Sequence, residues 1–322
     1  MRRKEFRALG GFRVYKGAIW GKQIGNSGLE AWTSFAFSEN PMPASEKPVL
    51  TPNDAELFRD ERGLFFPDPA TDRRRSTRMT VQAQTAPRKN VDFLRLKDTA
   101  LHLLDPRRGL KMLDLGCARG AEMVYCGLQG AEVYGQDLDP ASVALANRKM
   151  AHLKLNGEAR VGDARTLAWS DGFFDAVLSS DFHEHLDAGS QLDVLRECRR
   201  VLKPAGVLVI KTPNLRYLQA SVLFKRLRAL VRLKSPFGYV IPHTPGTADP
   251  QHIGLIAHAT LGSQLEEAGF LNWRFYYAPL RRLGASRVME IASTEVPGLR
   301  DILCEDLFCK AFNPIALSHF PD

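Results

Sequence analysis

The run from Lys111 to Asp137, KMLDLGCARGAEMVYCGLQGAEVYGQD, constrains the fold more than any other stretch of this 322-residue chain. Met112, Leu113 and Leu115 make a short apolar strand, Gly116 and Gly120 bracket a tight turn, a helix follows, and Ala131 to Gly135 make a second strand. Asp137 is left at the carboxyl end of that second strand, where a carboxylate can accept both hydroxyls of a ribose. The run therefore reads as a nucleoside-binding unit. A dinucleotide fingerprint wants Gly-x-Gly-x-x-Gly, and the turn offers Gly116, Ala118 and Ala121 in those places, so a dinucleotide dehydrogenase is disfavoured.

Strands and helices keep alternating downstream, which argues for a mostly parallel sheet covered on both faces. Asp139-Pro140 opens a helix with a side-chain cap and proline at its first position, which separates two nearby acids: Asp139 caps, and Asp137 is free for the ribose. Ala159 to Val161 and Phe174 to Leu178 read as the third and fourth strands, Ser190 to Leu202 as a helix, and VLVIKTPN, from Val207, as the fifth strand. Thr260 to Ala268 follows as the last helix, stopped by Gly269. Asn272 to Tyr277 and Arg287 to Ala292 are expected to supply strands six and seven.

The segment Asp114-Leu-Gly116-Cys-Ala118-Arg-Gly120 resembles the first motif of class I S-adenosylmethionine (SAM) dependent methyltransferases, with Ala118 where glycine is more usual. Gly162-Asp163-Ala164 resembles the position whose acidic side chain accepts the exocyclic amino group of adenine. RVLKPAGVLVIKTPN resembles the matching piece of ubiquinone-type and other small-molecule methyltransferases, so the likeness spans roughly residues 91–292. It implies a doubly wound, seven-stranded, Rossmann-like methyltransferase fold with an antiparallel last strand. It further implies a SAM site in which Asp114 supports the methionine end, Asp137 the ribose and Asp163 the adenine, with Gly116, Cys117, Ala118, Gly120, Leu138, Ala164 and Ser180 lining it.

On the acceptor side, Asp181-x-x-Glu184-His185 resembles the Glu-x-x-Glu-His metal-binding motif of ubiquinone-biosynthesis O-methyltransferases and of small-RNA end methyltransferases, with Asp in the first place. His252 lies where a distant fourth ligand is expected. Asp181, Glu184, His185 and His252 are thus the candidate catalytic residues, either as metal-free substrate contacts and base or as ligands for Mg or Mn. His183 reads as facing solvent or partnering its neighbours, and His243 and His258 as loop or capping residues.

The formal charge is +8, and it is concentrated locally: no acidic residue falls between Glu197 and Asp249, while Lys and Arg accumulate there. In SVLFKRLRALVRLK, Leu223, Leu227 and Leu230 follow helical spacing beside Phe224 and Val231, with Lys225, Arg228 and Arg232 opposite. This basic helix admits three readings: a lid packed on the domain, a peripheral membrane contact through 217–234, or a phosphate or RNA contact. No RNA-binding module is legible.

The expected organisation is an N-terminal extension over 1–88, partly irregular; a methyltransferase domain over 89–294, with a basic insertion at 215–258 after strand five; and a tail over 295–322. Residues 59–75 are a candidate cover for the site, and a helix over Val91 to Leu104 leads into the sheet. No transmembrane run, secretory signal or convincing transit peptide is legible, and five scattered cysteines fit a reducing cytoplasm. The expected function is methyl transfer from SAM to an oxygen of a small-molecule or lipid-linked acceptor. RNA methylation and a catalytically silent SAM-binding scaffold are the alternatives, and the oligomeric state is open.

Overall fold

The computed structural model describes residues 99–248, 250–277 and 287–314, together with four N-terminal strands at Phe6–Leu9, Phe12–Tyr15, Ala18–Ile24 and Glu30–Ala36. Seven further strands build the central sheet: β1 (Lys111–Leu115), β2 (Glu132–Asp137), β3 (Ala159–Val161), β4 (Phe174–Ser180), β5 (Leu202–Pro213), β6 (Asn272–Tyr276) and β7 (Asp306–Phe312). Their spatial order is β3-β2-β1-β4-β5-β7-β6. All pairs from β3 through β5 are parallel, and β7 runs antiparallel to both β5 and β6.

Strands covered by helices on both faces carry apolar runs rather than strict alternation, and the centres of β1 and β4 show it. Met112, Leu113, Leu115, Val177 and Leu178 are fully buried, and Leu208, Val209 and Phe308 continue the same core. The covering helices are α1 (Ala121–Leu128), α2 (Pro140–His152), α3 (Ala188–Val201), α4 (Leu215–Val231), α5 (His258–Glu267), α6 (Arg287–Thr294) and α7 (Leu299–Leu303). Asp139 caps α2 through Ala141 N and Ser142 N with Pro140 behind it, as the sequence requires. Asp187 caps α3 and Asn214 caps α4 by the same device. Gly269, at φ 89°, ends the chain's exit from α5.

The strand order reverses between β1 and β4. Their carboxyl ends therefore open a crevice, which is where open α/β sheets hold ligands. The turns after β1, β2, β3 and β4 all lie on this side.

The structure corrects the last strand. Residues 287–292, expected as strand seven, lie in helix α6, because Val288, Ile291 and Ala292 repeat at helical rather than strand spacing. The seventh strand is β7, inside the segment expected to be a tail, so the sheet continues past residue 294. β5 also begins earlier than expected: Leu202 to Gly206 already belong to it, with Ala205 at φ 62°.

At the N-terminus, where the sequence shows no sustained period, the four strands pair antiparallel in succession. Ile24 pairs with Phe275, joining them to the β6 edge. Of the expected helix over 91–104 only 99–104 falls among the described residues, where it is helical; the segment 59–75 lies outside them.

The insertion does contain a helix, α4, but its apolar stripe does not cover the domain. Leu223, Phe224, Leu227 and Leu230 are each more than half exposed, while Tyr217 and Ala229 are the buried positions. All five cysteines are free thiols in buried positions.

If β7 is a sheet strand and α6 a surface helix, Phe308→Ala should cost roughly 3–5 kcal/mol of stability. Val288→Ala should stay within about 0.5 kcal/mol. Urea denaturation of the two variants checks this, and equal effects would remove β7 from the core.

Candidate active site at the carboxyl ends of the strands

The turn after β1 is built from backbone hydrogen bonds to β2. The amides of Gly116 and Cys117 both donate to the Gln136 carbonyl, at 2.9 and 3.2 Å, and Gly120 N closes the turn onto Cys117 O at 2.8 Å. Gly116 sits at φ 65°, and a Cβ there would run into the Phe182 ring. Gly120, at φ 77°, faces α2 so closely that a Cβ would lie 2.8 Å from the Ala146 Cβ. Both positions need glycine for conformation and for space. Ala118, where the related families favour glycine, adopts φ 42° and carries its methyl there.

Asp137 is aimed by two amides. Ala118 N donates to its Oδ2 at 2.8 Å and Asp139 N to its Oδ1 at 2.9 Å. Each carboxylate oxygen keeps lone-pair capacity for a further donor, which suits a ribose diol. Leu138, beside it, is 71 % exposed. Asp114 is buried within β1 below the turn. The Cys117 thiol is pushed far up by burial, with the Asp114 and Asp137 carboxylates adding to the effect, so it stays protonated and packs rather than reacts.

Asp163 follows β3, and its backbone is tied back to β2 by Gln136 Nε2, which donates to the Asp163 carbonyl at 2.7 Å. Ala164 beside it is buried. Gln136 was not among the residues singled out from sequence, and neither was Lys149, whose Nζ reaches from α2 to the Arg119 carbonyl at 2.9 Å. A buried Gln in an apolar strand and a Lys on a helix's inner face were the available signals. The hydroxyls of Ser179 and Ser180, at the end of β4, are buried without hydrogen-bond partners among the described residues.

On the other side of the crevice, the chain leaves β4 through Asp181 in the left-handed region, at φ 54°, and enters a 3₁₀ turn, His183–His185. Phe182 lies between the two turns against Gly116. The structure brings together three of the four expected acceptor-side residues: ligand atoms of Glu184, His185 and His252 lie within 4.8 Å of one another. Asp181 does not join them. Its Oδ1 bonds to Lys211 Nζ, and Lys211 also faces Asp306 at 3.3 Å. Lys211 is 2 % exposed; burial alone would lower its pKa, but the Asp306 and Asp181 carboxylates outweigh burial and keep it charged. The side chain expected to face the acceptor is thus held by a buried ammonium, a partner invisible in the sequence motif.

The loop carrying His252 is fixed to the 3₁₀ turn. Gly254 N donates to the Glu184 carbonyl at 2.9 Å, and Gln191 Nε2 bridges the carbonyls of His183 and Gly254 at 3.0 and 2.7 Å. His185 Nδ1 lies 3.0 Å from the Gln251 carbonyl oxygen, which only accepts. Nδ1 therefore carries the ring proton, leaving Nε2 as the basic nitrogen. His243, expected in a loop, sets its ring centroid 5.3 Å from that of His252 at a tilt of 55°, and its carbonyl accepts from His252 N at 2.7 Å. His183 is buried among its neighbours rather than facing solvent, and burial pulls its pKa down to about 4, so it is neutral.

Glu184 is buried and accepts the Thr212 hydroxyl at 2.9 Å. Burial first, then the charge on Asp181, pushes its carboxyl up to about 7. The remaining expected residue, His258, starts α5 with Nδ1 3.7 Å from Asp301.

The strand order, the reversed last strand and the glycine turn facing Asp137 make up a doubly wound, Rossmann-like methyltransferase fold. Residues 113–210 match the family described as a methyltransferase domain. Among curated proteins, the chain is similar to the ubiquinone biosynthesis O-methyltransferases of Cereibacter sphaeroides and Roseobacter denitrificans. Each is 34 % identical over 34 % of this chain, which covers 43 % and 44 % of those proteins. The chain thus spans less than half the length of these relatives.

Among solved structures, the chain is similar to two that can be named. One is a SAM-dependent methyltransferase from Archaeoglobus fulgidus, with a TM-score of 0.47 and 21 % identity, covering 70 % of this chain and 95 % of that one. The other is a geranyl diphosphate methyltransferase in complex with SAM, with a TM-score of 0.48 and 19 % identity, covering 70 % and 88 %.

A carboxyl raised to about 7 from its ordinary 4.5 binds a proton more tightly in the native than in the unfolded state. The stability it contributes is complete below about 4.5 and is lost as pH rises through about 7. Glu184→Gln should flatten that part of the stability profile in chelator-containing buffer; an unchanged slope between the two values would contradict a buried Glu184.

Proposed function

We propose that the chain transfers a methyl group from SAM to an oxygen of a small-molecule or lipid-linked acceptor. The observation that carries this reading is the adjacency of two halves. One is the glycine turn with Asp137 aimed across it; the other is the Glu184, His185 and His252 cluster, with Phe182 between them. SAM supplies an activated methyl on its sulfonium, so the protein's work is to hold an acceptor in line and remove its proton. In this reading Asp137 holds the ribose hydroxyls, Asp163 the adenine amino group, and Asp114 supports the methionine end. His185 Nε2 takes the acceptor proton, and Glu184 and His252 orient the acceptor oxygens.

The curated relatives named ubiquinone biosynthesis O-methyltransferase favour an aromatic hydroxyl on a lipid-linked ring. The exposed apolar side chains of α4, set among Lys225, Arg226, Arg228 and Arg232, favour an acceptor presented at an anionic membrane surface. No helix among the described residues is long and apolar enough to cross a membrane, so the contact would be peripheral.

The cluster also fits a divalent cation. It offers one carboxylate and two imidazoles, with His185 Nδ1 already engaged by a carbonyl and its Nε2 available, the arrangement that orients histidine ligands. Glu184, His185 and His252 would hold the ion and Asp181 would not. When bound, Mg or Mn lowers the pKa of an acceptor hydroxyl.

Calorimetry should find SAM binding that Asp137→Ala weakens about 10- to 100-fold, the range of one or two charge-assisted hydrogen bonds. With labelled SAM, label should enter phenolic or catecholic acceptors presented in vesicles. Transfer to RNA alone would replace this function with the RNA reading, and binding without any transfer would favour the scaffold. For the cation, added Mn should raise the melting temperature of the wild type and leave His252→Ala unmoved; an equal response in both would remove the cluster as its site.

A further inference from the structure

Lys211 takes one oxygen donor away from the acceptor side by holding Asp181. What remains together is one carboxylate, Glu184, with the imidazoles of His185 and His252. A third imidazole stands beside them. The ring centroid of His252 lies 5.2 Å from that of His185 and 5.3 Å from that of His243. Two imidazoles bound through one nitrogen each to a single tetrahedral ion, at about 2.0–2.1 Å, set their ring centroids about 5 Å apart. Both neighbours of His252 therefore stand at the spacing of rings that share an ion.

The backbone keeps His243 in that place. Its carbonyl accepts from His252 N at 2.7 Å, which ties the two residues together across the loop. Thr244 Oγ1 donates to the Ile241 carbonyl at 2.8 Å, and Thr247 N and Oγ1 both donate to the Thr244 carbonyl, at 3.0 and 2.7 Å. At φ 60° His243 lies in the left-handed region, a conformation that non-glycine residues adopt at a cost and that recurs at ligand clamps. Its side chain is exposed, and its ligand atoms stand outside the set that lies within 4.8 Å. An exposed side chain changes rotamer within nanoseconds, so the ring can turn inward while the backbone stays fixed.

We propose that His243 is a third imidazole ligand of the cation site, and that the resulting set of three ring nitrogens and one carboxylate selects zinc over Mg and Mn. The inference rests on the reading of Glu184, His185 and His252 as a cation site. Oxygen donors suit Mg and Mn, whereas imidazole suits zinc. Withdrawing Asp181 and adding His243 shift the preference in the same direction.

The test is metal titration of the full chain after chelator stripping, with zinc and Mn affinities read by competition against a chromophoric chelator, in the absence of SAM and acceptor. Wild type is compared with His243→Ala, His243→Asn and His252→Ala. Asn visits the left-handed region readily, so His243→Asn removes the imidazole without adding backbone strain. Both His243 variants should lose zinc affinity at least about 10-fold, a loss no smaller than that from removing an outer-shell partner. Their Mn affinity should change by less than about 3-fold, because Mn draws less on imidazole. If His252→Ala loses zinc while both His243 variants bind it as wild type does, His243 is no ligand and the three-residue site stands without it. Equal losses of zinc and Mn in the His243 variants would overturn the zinc preference. If no variant, His252→Ala included, alters the binding of either ion, the cluster holds no cation and both readings fall together.

Discussion

The site depends on one short junction, where the end of β2 is bonded to the turn after β1. The Gln136 carbonyl collects two amides of the turn, its side chain collects the next turn, and Asp137 is aimed by the amides of Ala118 and Asp139. Three consecutive strand ends are thereby set relative to one another by groups that carry little conformational freedom. A carboxylate held by backbone amides is already placed for its ligand, so little ordering remains to oppose binding. The glycines at 116 and 120 let the turn close onto Phe182 and α2 without a Cβ in the way.

The second half of the site is organised by burial of charge. Lys211 is brought into the interior on β5 and is balanced there by Asp181 from the end of β4 and Asp306 from the start of β7. Removing Lys211 would leave the Asp306 carboxylate buried and uncompensated, which costs far more than the group gains over apolar residues. The arrangement fixes Asp181 in its left-handed conformation and leaves Glu184, His185 and His252 as a separate cluster. It also ties the geometry beside that cluster to a strand far along the chain.

What could be read from the sequence was what is local. The β1-turn-β2 unit, the cap at Asp139, the position of Asp137 and the parallel alternation all follow from short-range spacing. The expected 287–292 strand failed because a short apolar run is ambiguous between periods, and its residues also fit a helix. The real strand, 306–312, has two partly exposed positions, Lys310 and Phe312, and nothing beside it announces that β5 is waiting for a partner. The turning of Asp181 toward Lys211 was illegible for the same reason: a lysine in a strand reads as solvent-facing until the partners that bury it are known. The Gln191 bridge and the approach of His243 to His252 depend on loops whose path no local signal sets.

The place of β7 has a consequence for biogenesis. β6 is made before β7, yet in the sheet it pairs with β7, which lies between it and β5. While the chain emerges from the ribosome, β5 therefore presents an open edge, and Lys211 lacks Asp306, until residues 306–312 are synthesised. An unpaired edge of this kind is a template for pairing with other chains. The nascent protein passes through a stage in which its cofactor-side half can be assembled while its sheet is incomplete, and for that interval its solubility rests on chaperones or on the speed of translation.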